Sequence, residues 1–170
     1  KPISPYGVTK LASENLCLAY YKNYGVPIVS LRYFTVVGSR QRPDMAIHRF
    51  VQQAIANQPI LVFGNGEQTR DFTNVRDIVE GTLRATEVEG MEGSIFNLGS
   101  GKETKLNEVI KLLSDVLQRD IKVEHIETQP GDVKHTLADI KKAREISDYK
   151  PKVSLKESLK EFIEWYKTYH

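Results

Sequence analysis

Segments with the character of β-strands alternate with amphipathic helical segments along almost the whole chain. The strand-like segments are short and rich in β-branched and aromatic residues, and they occupy residues 28–34, 60–63, 71–75, 94–98 and 121–126. The helical segments repeat apolar residues every three to four positions, and they occupy residues 5–24, 45–57, 76–86, 106–118, 140–146 and 155–169. This alternation predicts an α/β fold around a largely parallel sheet.

The ends of the predicted helices carry local signals. Ser4 and Pro5 form a strong start for the first helix, because the serine hydroxyl can accept from a free N–H and proline needs no donor in the first turn. Gly25 is placed to supply the left-handed residue that ends this helix. By similar reasoning we expect Thr104 to cap the helix at 106–118 and Asp77 to cap the helix that begins at residue 76.

Charge and composition exclude several kinds of partner. With 24 basic and 22 acidic residues the formal net charge is only +2, so we expect no nucleic-acid partner. No apolar run approaches the ~20 residues that cross a bilayer, so we expect no membrane insertion. The four histidines lack the spacing of metal ligands and Cys17 is the single cysteine, so we expect no metal. With no signal peptide to indicate an oxidising compartment, the cytoplasm is the expected location.

A tyrosine and a lysine stand four residues apart in the first predicted helix. Tyr6 and Lys10 therefore lie on one face of it, where the lysine ammonium can stabilise the phenolate of the tyrosine. Such a phenolate can exchange protons with a hydroxyl group during hydride transfer. The spacing alone is weak evidence, because a short motif of this kind also occurs by chance as a solvated helix pair.

The surrounding sequence strengthens the functional interpretation. Seven segments resemble, in order and spacing, the extended short-chain dehydrogenases/reductases that act on nucleotide sugars, and most closely the NAD-dependent UDP-sugar 4-epimerases. They are Ser4 to Lys10, Leu31 to Gly38, Phe63 to Thr73, Phe96 to Gly101, Pro130 to Val133, Ala138 to Ala143 and Tyr149 to Pro151. Together they extend over nearly all of the chain.

The resemblance implies a redox role for the first part of the chain. Tyr6 would be the catalytic acid/base, Lys10 would stabilise its phenolate and bind the ribose of NAD, and Tyr33 and Phe34 would flank the nicotinamide. In this family hydride leaves C4 of the sugar while the tyrosinate takes the proton of the C4 hydroxyl. The 4-keto sugar then rotates, and hydride returns to its other face.

The resemblance also implies a nucleotide-sugar site. Arg70 would contact the diphosphate, Phe63 would line the uracil pocket and Asp132 would hold a ribose hydroxyl. Thr35 is followed seven residues later by Arg42, a pair that meets the sugar carboxylate in the branch of the family that acts on UDP-glucuronate. The substrate is therefore expected to be a UDP-hexose, with UDP-glucuronate and UDP-glucose both left open.

For domain organisation, the resemblance implies the C-terminal part of a Rossmann-type parallel sheet and the smaller α/β domain that binds the nucleotide sugar. Residues 1–38 would end the NAD-binding domain, residues 39–170 would belong mainly to the substrate domain, and residues 71–98 would return to the Rossmann core. The glycine-rich loop and the catalytic Ser or Thr of the family precede the tyrosine motif and are not among these residues. We therefore expect the 170-residue polypeptide by itself neither to bind NAD tightly nor to turn over sugar.

Other interpretations remain open at this level. A nucleotide-sugar 4,6-dehydratase or a UDP-glucuronate decarboxylase would start from the same oxidation at C4. A non-catalytic nucleotide-sugar binding module would keep Arg70 and Phe63 but would have no need of Tyr6 and Lys10. Relatives dimerise through the helix that carries the tyrosine and lysine, so the resemblance also implies a homodimer.

Overall fold

The computed structural model describes residues 1–128 and 133–170, which contain six helices and eight strands. The helices are α1 (Pro5–Tyr24), α2 (Ala46–Ile55), α3 (Val75–Glu87), α4 (Leu106–Leu117), α5 (Lys141–Ser147) and α6 (Leu155–Tyr169). The strands are β1 (Ser30–Tyr33), β2 (Thr35–Val37), β3 (Ile60–Phe63), β4 (Thr69–Arg70), β5 (Phe72–Asn74), β6 (Ile95–Leu98), β7 (Thr104–Lys105) and β8 (Val123–Ile126).

Parallel pairing dominates the strands, which confirms the predicted α/β class. β1 pairs with β6, β2 with β5 and β3 with β8, each in parallel, and only β4 and β7 pair antiparallel. The parallel partners are separated in sequence by helices, as βαβ connections require.

In place of the one strand predicted at 28–34, the structure has two short strands, β1 and β2, with an unpredicted break between them at Phe34. The backbone N–H of Phe34 still donates to the carbonyl of Leu98 next to β6, whereas the N–H of Thr35 donates to the carbonyl of Asp71 next to β5. The chain thus changes its pairing partner within two residues. This change separates β1 from β2 and opens the space in which the candidate site lies.

Two groups of buried apolar side chains hold the elements together. The first core contains side chains of α2, β3, α4 and α6, with Val37 and Phe72 at its edge. The second core contains side chains of α3, β6, α5 and residues around them, including Tyr149. The division into a Rossmann part and a substrate part stays a prediction, because two cores do not by themselves define domain boundaries.

Local signals placed α1 correctly, since it runs from Pro5 to Tyr24 as predicted. The Ser4 hydroxyl accepts from the N–H of Gly7 at 3.1 Å. Gly25 has φ of 66°, and its N–H donates to the carbonyl of Tyr21. Both ends of this helix are therefore fixed by residues next to it in sequence.

Two predicted caps are wrong. Thr104 does not cap α4, because it lies in β7 opposite Arg70, and the residue before the helix is Lys105. Asp77 does not cap α3, because Asn74 accepts from the N–H of Arg76 in that role. In both cases a partner distant in sequence decides where the side chain lies.

A bidentate ion pair fastens α1 to β1. Both oxygens of Glu14 accept from the guanidinium of Arg32, at 2.8 and 2.6 Å. No side chain of α1 is fully buried, so this pair is a main attachment of the helix that carries Tyr6 and Lys10. Among the described residues no helix is both long and apolar enough to cross a membrane.

Replacing Glu14 by glutamine is expected to lower the free energy of unfolding by about 1 kcal/mol at neutral pH. Hydrogen bonds from Arg32 hold the pKa of the Glu14 carboxyl below its ordinary value of 4.5. Because the pKa is lower in the folded state, the stabilisation is complete above about pH 4.5 and is lost as pH falls through the folded value. Urea unfolding over a pH series should show the variant and the wild type converging in acid, whereas the exposed control Glu164→Gln should match the wild type throughout.

Candidate functional site

A cavity of about 810 Å³ opens where β1 and β2 end and the chain turns towards α2. Six of the nine side chains predicted for the site line it, namely Tyr6, Tyr33, Phe34, Thr35, Arg42 and Arg70. Gly38, which also lines it, has φ of 150°, and a Cβ at that position would lie 2.6 Å from Cγ1 of Val75. Only glycine lets the chain turn past α3 at this point.

A second cavity, of about 310 Å³, adjoins the first. The two share Thr35, Gln41, Met45 and Arg70 as lining residues, so a ligand in one can extend into the other. Phe63, at the end of β3, lines the smaller cavity together with the aromatic side chains of Phe50 and Phe72. The pair of cavities suits an elongated ligand that can contact both arginine and aromatic side chains.

Tyr6 and Lys10 lie on one face of the first two turns of α1, as predicted. The Lys10 ammonium lies 5.4 Å from the centroid of the Tyr6 ring, within the range of a cation–π contact. Tyr6 is 71% exposed at the mouth of the larger cavity. Lys10 is not among the residues that line that cavity. The phenol is therefore accessible to a ligand in the cavity, with a cation one turn behind it.

The segment from Tyr33 to Thr35 forms the wall between the ends of β1 and β2. Tyr33 is half exposed, and its hydroxyl makes a hydrogen bond with the hydroxyl of Thr82 at 2.9 Å. Phe34 packs against the second core and also lines the larger cavity. Thr35 lines both cavities. Tyr33 and Phe34 thus line the same cavity as Tyr6.

Arginines dominate the charge of the larger cavity. Arg40, Arg42 and Arg70 line it, and no acidic side chain does so among the described residues. Arg42 donates to Asp44 at 3.0 Å, but this pair is solvent-exposed and contributes little stability. Arg70 donates from Nη1 to the carbonyls of Thr69 and Lys134, at 2.8 and 3.4 Å. The cavity therefore favours an anionic ligand.

Phe63 and Asp132 are the two remaining residues that were predicted to bind the nucleotide sugar. Phe63 lies at the end of β3, with the guanidinium carbon of Arg49 6.0 Å from its ring centroid. Asp132 lies outside the described residues, so its predicted contact with a ribose hydroxyl stays a prediction. The structure thus brings all the described members of the predicted set, apart from Lys10, into the linings of two adjoining cavities.

Gln41 is a residue that the sequence analysis missed. It lines both cavities, its side-chain amide donates to the carbonyl of Val36, and its backbone carbonyl accepts from Nδ1 of the buried His48 at 2.8 Å. Its Oε1 is buried and has no partner among the described residues. Its signal in the sequence is weak, because it is one of several polar residues in the run that follows Gly38.

The segment after the undescribed residues was missed as well. Val133 and Thr136 line the larger cavity together with Arg70. The N–H of Thr69 donates to the carbonyl of Lys134, and the N–H of Thr136 donates to the carbonyl of Thr69. Residues 134–136 therefore lie alongside β4 as an additional stretch of extended backbone. Thr69 and His135 are far apart in the sequence, so the local sequence does not predict that they pair.

Parallel strand pairs with a cationic cavity near their carboxyl ends are typical of the α/β proteins that bind nucleotides. Comparison with known proteins narrows this class. The sequence model of the family described as GDP-mannose 4,6 dehydratase matches residues 1–162. The chain therefore belongs to the family of NAD-dependent epimerases and dehydratases.

Individual relatives agree with this assignment. A UDP-glucuronate 4-epimerase of Thermodesulfobacterium geofontis is 41% identical over 167 residues, which is 98% of this chain and 51% of that protein. An uncharacterised UDP-glucose epimerase of Bacillus subtilis is 41% identical over 158 residues, which is 93% of this chain and 50% of that protein. The chain spans about half the length of the curated relatives it matches.

A solved structure shows the same fold. The UDP-glucuronic acid 4-epimerase of Bacillus cereus, in complex with UDP-glucuronic acid and NAD, superimposes with a TM-score of 0.96 and 42% identity. The match covers all of this chain and 55% of that protein. The Rossmann-like fold of the extended short-chain dehydrogenases/reductases, expected from the sequence resemblance, is thereby confirmed.

Proposed function

We propose that the full-length protein epimerises C4 of a UDP-hexose through a 4-keto intermediate, with NAD as its cofactor. The observation that carries the proposal is one cavity that Tyr6, Arg42 and Arg70 line together. A proton-transfer group and two cations along one path match a ligand with a reactive hydroxyl at one end and anionic groups beyond it.

Tyr6 and Lys10 supply the proton chemistry in this proposal. Tyr6 exchanges the proton of the C4 hydroxyl, and Lys10, 5.4 Å from its ring centroid, stabilises the phenolate by its charge. Bound NAD supplies the acceptor and donor for the C4 hydride. Tyr33 and Phe34, which line the cavity, would flank the nicotinamide ring, and Lys10, one helical turn from Tyr6, would bind its ribose.

The remaining predicted residues would hold the nucleotide sugar. Arg70, which lines both cavities, would meet the diphosphate, and the Phe63 ring in the smaller cavity would line the site of the uracil. Asp132 would bind a ribose hydroxyl. Thr35 and Arg42 would meet the carboxylate of a uronic acid, which a planar guanidinium recognises through two parallel hydrogen bonds.

The proposal is tested by incubating the full-length protein with NAD and with UDP-glucuronate or UDP-glucose, and by following the sugar protons by NMR. Appearance of the galacto-configured sugar supports it. A UDP-pentose would instead identify the decarboxylase, and a 4-keto-6-deoxy sugar the dehydratase, whose family description makes it the second candidate. Tight binding of UDP-sugar without conversion would identify a non-catalytic binding module.

Arg42→Ala is expected to lower kcat/KM for UDP-glucuronate by about 10- to 100-fold, because charge-assisted hydrogen bonds to the carboxylate are lost. Turnover of UDP-glucose, which has no carboxylate, should change by no more than about threefold. The same preparation thus provides its own control. An equal loss with both substrates would contradict the assignment of Arg42 to the carboxylate.

Two further parts of the proposal concern the assembly. Residues 1–38 and 71–98 would belong to the NAD-binding domain, and the rest mainly to the substrate domain.

The apolar side chains of Val8, Leu11 and Leu16 are exposed along α1, which supports a homodimer that buries this helix. A monomeric mass of the full-length protein in analytical ultracentrifugation would overturn the homodimer.

A further inference from the structure

Asp71 is a carboxylate with no access to solvent that lies directly behind the candidate site. Its exposed fraction is 0%, and none of its described partners carries a charge. Five donors meet it. Oδ1 accepts from the Thr73 hydroxyl at 3.0 Å and from the N–H and hydroxyl of Ser100, both at 2.7 Å. Oδ2 accepts from the N–H groups of Gly101 at 2.9 Å and Ala138 at 3.2 Å.

These donors come from three separate parts of the chain: β5, the turn after β6, and residues 133–138, which we call the strap. The packing around the carboxylate leaves no room for adjustment. A Cβ on Gly99 would lie 2.4 Å from the Cβ of Ala138 and 2.9 Å from Oδ2 of Asp71. The strap therefore packs closely against the turn after β6 at Gly99 and Ala138, and the Asp71 carboxylate lies beside this contact and bonds to both segments.

The backbone around Asp71 reaches the cavity on both sides. The carbonyl of Asp71 accepts from the N–H of Thr35 at 3.0 Å. Its neighbour Arg70 donates to the carbonyl of Lys134 in the strap. The strap itself contributes Val133 and Thr136 to the cavity lining. Asp71 thus connects both walls of the cavity, through its backbone carbonyl to Thr35 and through its carboxylate to Ala138 in the strap.

We propose that Asp71 is a positioning residue for nucleotide-sugar binding, which holds the strap closed against Arg70 through its bond to the N–H of Ala138. This rests on the proposed function. Asp71 does not contact the cavity, so it acts through the strap and Arg70. Its loss opens one wall of the nucleotide-sugar site and leaves Tyr6 and Lys10 in place.

The chain contains a matched control. Asp77 is 4% exposed and also accepts two backbone N–H bonds, from Lys152 at 3.0 Å and Val153 at 3.1 Å. Asp77 lines neither cavity. Asp71→Asn and Asp77→Asn both place an amide NH₂ against backbone N–H donors, so both carry a stability cost of the same kind. Only Asp71→Asn is expected to change ligand affinity.

The experiment measures UDP binding to the full-length protein by calorimetry, together with hydrogen exchange of the strap amides, at a temperature where all variants are folded. Asp71→Asn is expected to weaken UDP by at least about tenfold and to speed exchange at residues 133–138. Asp77→Asn should stay within about twofold of wild type. If Asp71→Asn does not fold, Ala138→Pro removes the single N–H of the strap bond and should reproduce the loss of affinity.

The outcomes distinguish a failure of the proposed function from a failure of the positioning role of Asp71. If the wild type does not bind UDP, the proposed function fails and this inference fails with it. If the wild type binds but Asp71→Asn or Ala138→Pro binds equally well, the positioning role alone is overturned. An equal loss of affinity in Asp77→Asn would also overturn it, because the effect would then be general destabilisation.

Discussion

Replacing Tyr6 by phenylalanine is expected to lower kcat of the full-length protein by about 10²- to 10⁴-fold, the usual contribution of a positioned acid/base. Only the hydroxyl is removed, and it lies at the open mouth of the cavity, where its loss leaves no buried group unpaired. The affinity for UDP, which we assign to Arg70 and Phe63, should stay within about twofold of wild type. Steady-state turnover of UDP-glucuronate and UDP-glucose with NAD measures the effect.

Tyr24→Phe is the matched control, because Tyr24 is 74% exposed at the other end of the same helix. This variant should turn over substrate at the wild-type rate. If Tyr6→Phe retains full activity, Tyr6 is not the catalytic acid/base. A loss of UDP affinity parallel to the loss of turnover would show that the phenol supports binding and does not transfer a proton.

Replacing Arg70 by alanine is expected to weaken UDP binding by about 10- to 150-fold, because each charge-assisted hydrogen bond to phosphate contributes about 1.5–3 kcal/mol. Arg70 lies where the two cavities meet, and carbonyls on both sides of it orient its guanidinium. Arg70→Lys should recover part of the affinity, since lysine keeps the charge but not the planar fork. Calorimetric titration with UDP provides the measurement.

Arg144→Ala on α5 removes an exposed arginine away from both cavities and should bind UDP as the wild type does. The slope of affinity against salt should also decrease in Arg70→Ala alone, because the lost contact is ionic. If Arg70→Ala binds UDP as tightly as the wild type, the diphosphate does not bind at Arg70.

The sequence predicted what is decided locally. α1 has its predicted ends because Ser4 and Gly25 are neighbours of the helix they limit, and the bounds of β3 and α6 agree with their apolar patterns for the same reason. The change of partner at Phe34 could not be predicted, because it depends on strands about forty and sixty residues away. Asp77 was misassigned because its donors, Lys152 and Val153, lie on a distant loop.

The site residues also divide into those that the sequence predicted and those that depend on distant contacts. Tyr6, Arg42 and Arg70 were found by resemblance to a family, and the structure places them around one cavity. Gln41 and the strap were missed, because their part in the cavity depends on how loops fold back over it. A buried carboxylate such as Asp71 has no sequence signal of its own, since its role is visible only when its five donors are known.

The long connection between Asp71 and Ala138 also bears on how the molecule is made. These two residues are 67 positions apart in sequence, and contacts over such distances form late because a large loop must close first. During synthesis α1 and the first strands leave the ribosome well before the strap does. The cavity therefore gains this wall only after the whole stretch from Asp71 to Ala138 has been made, and a nascent chain that ends before Ala138 carries Tyr6 and Lys10 without it.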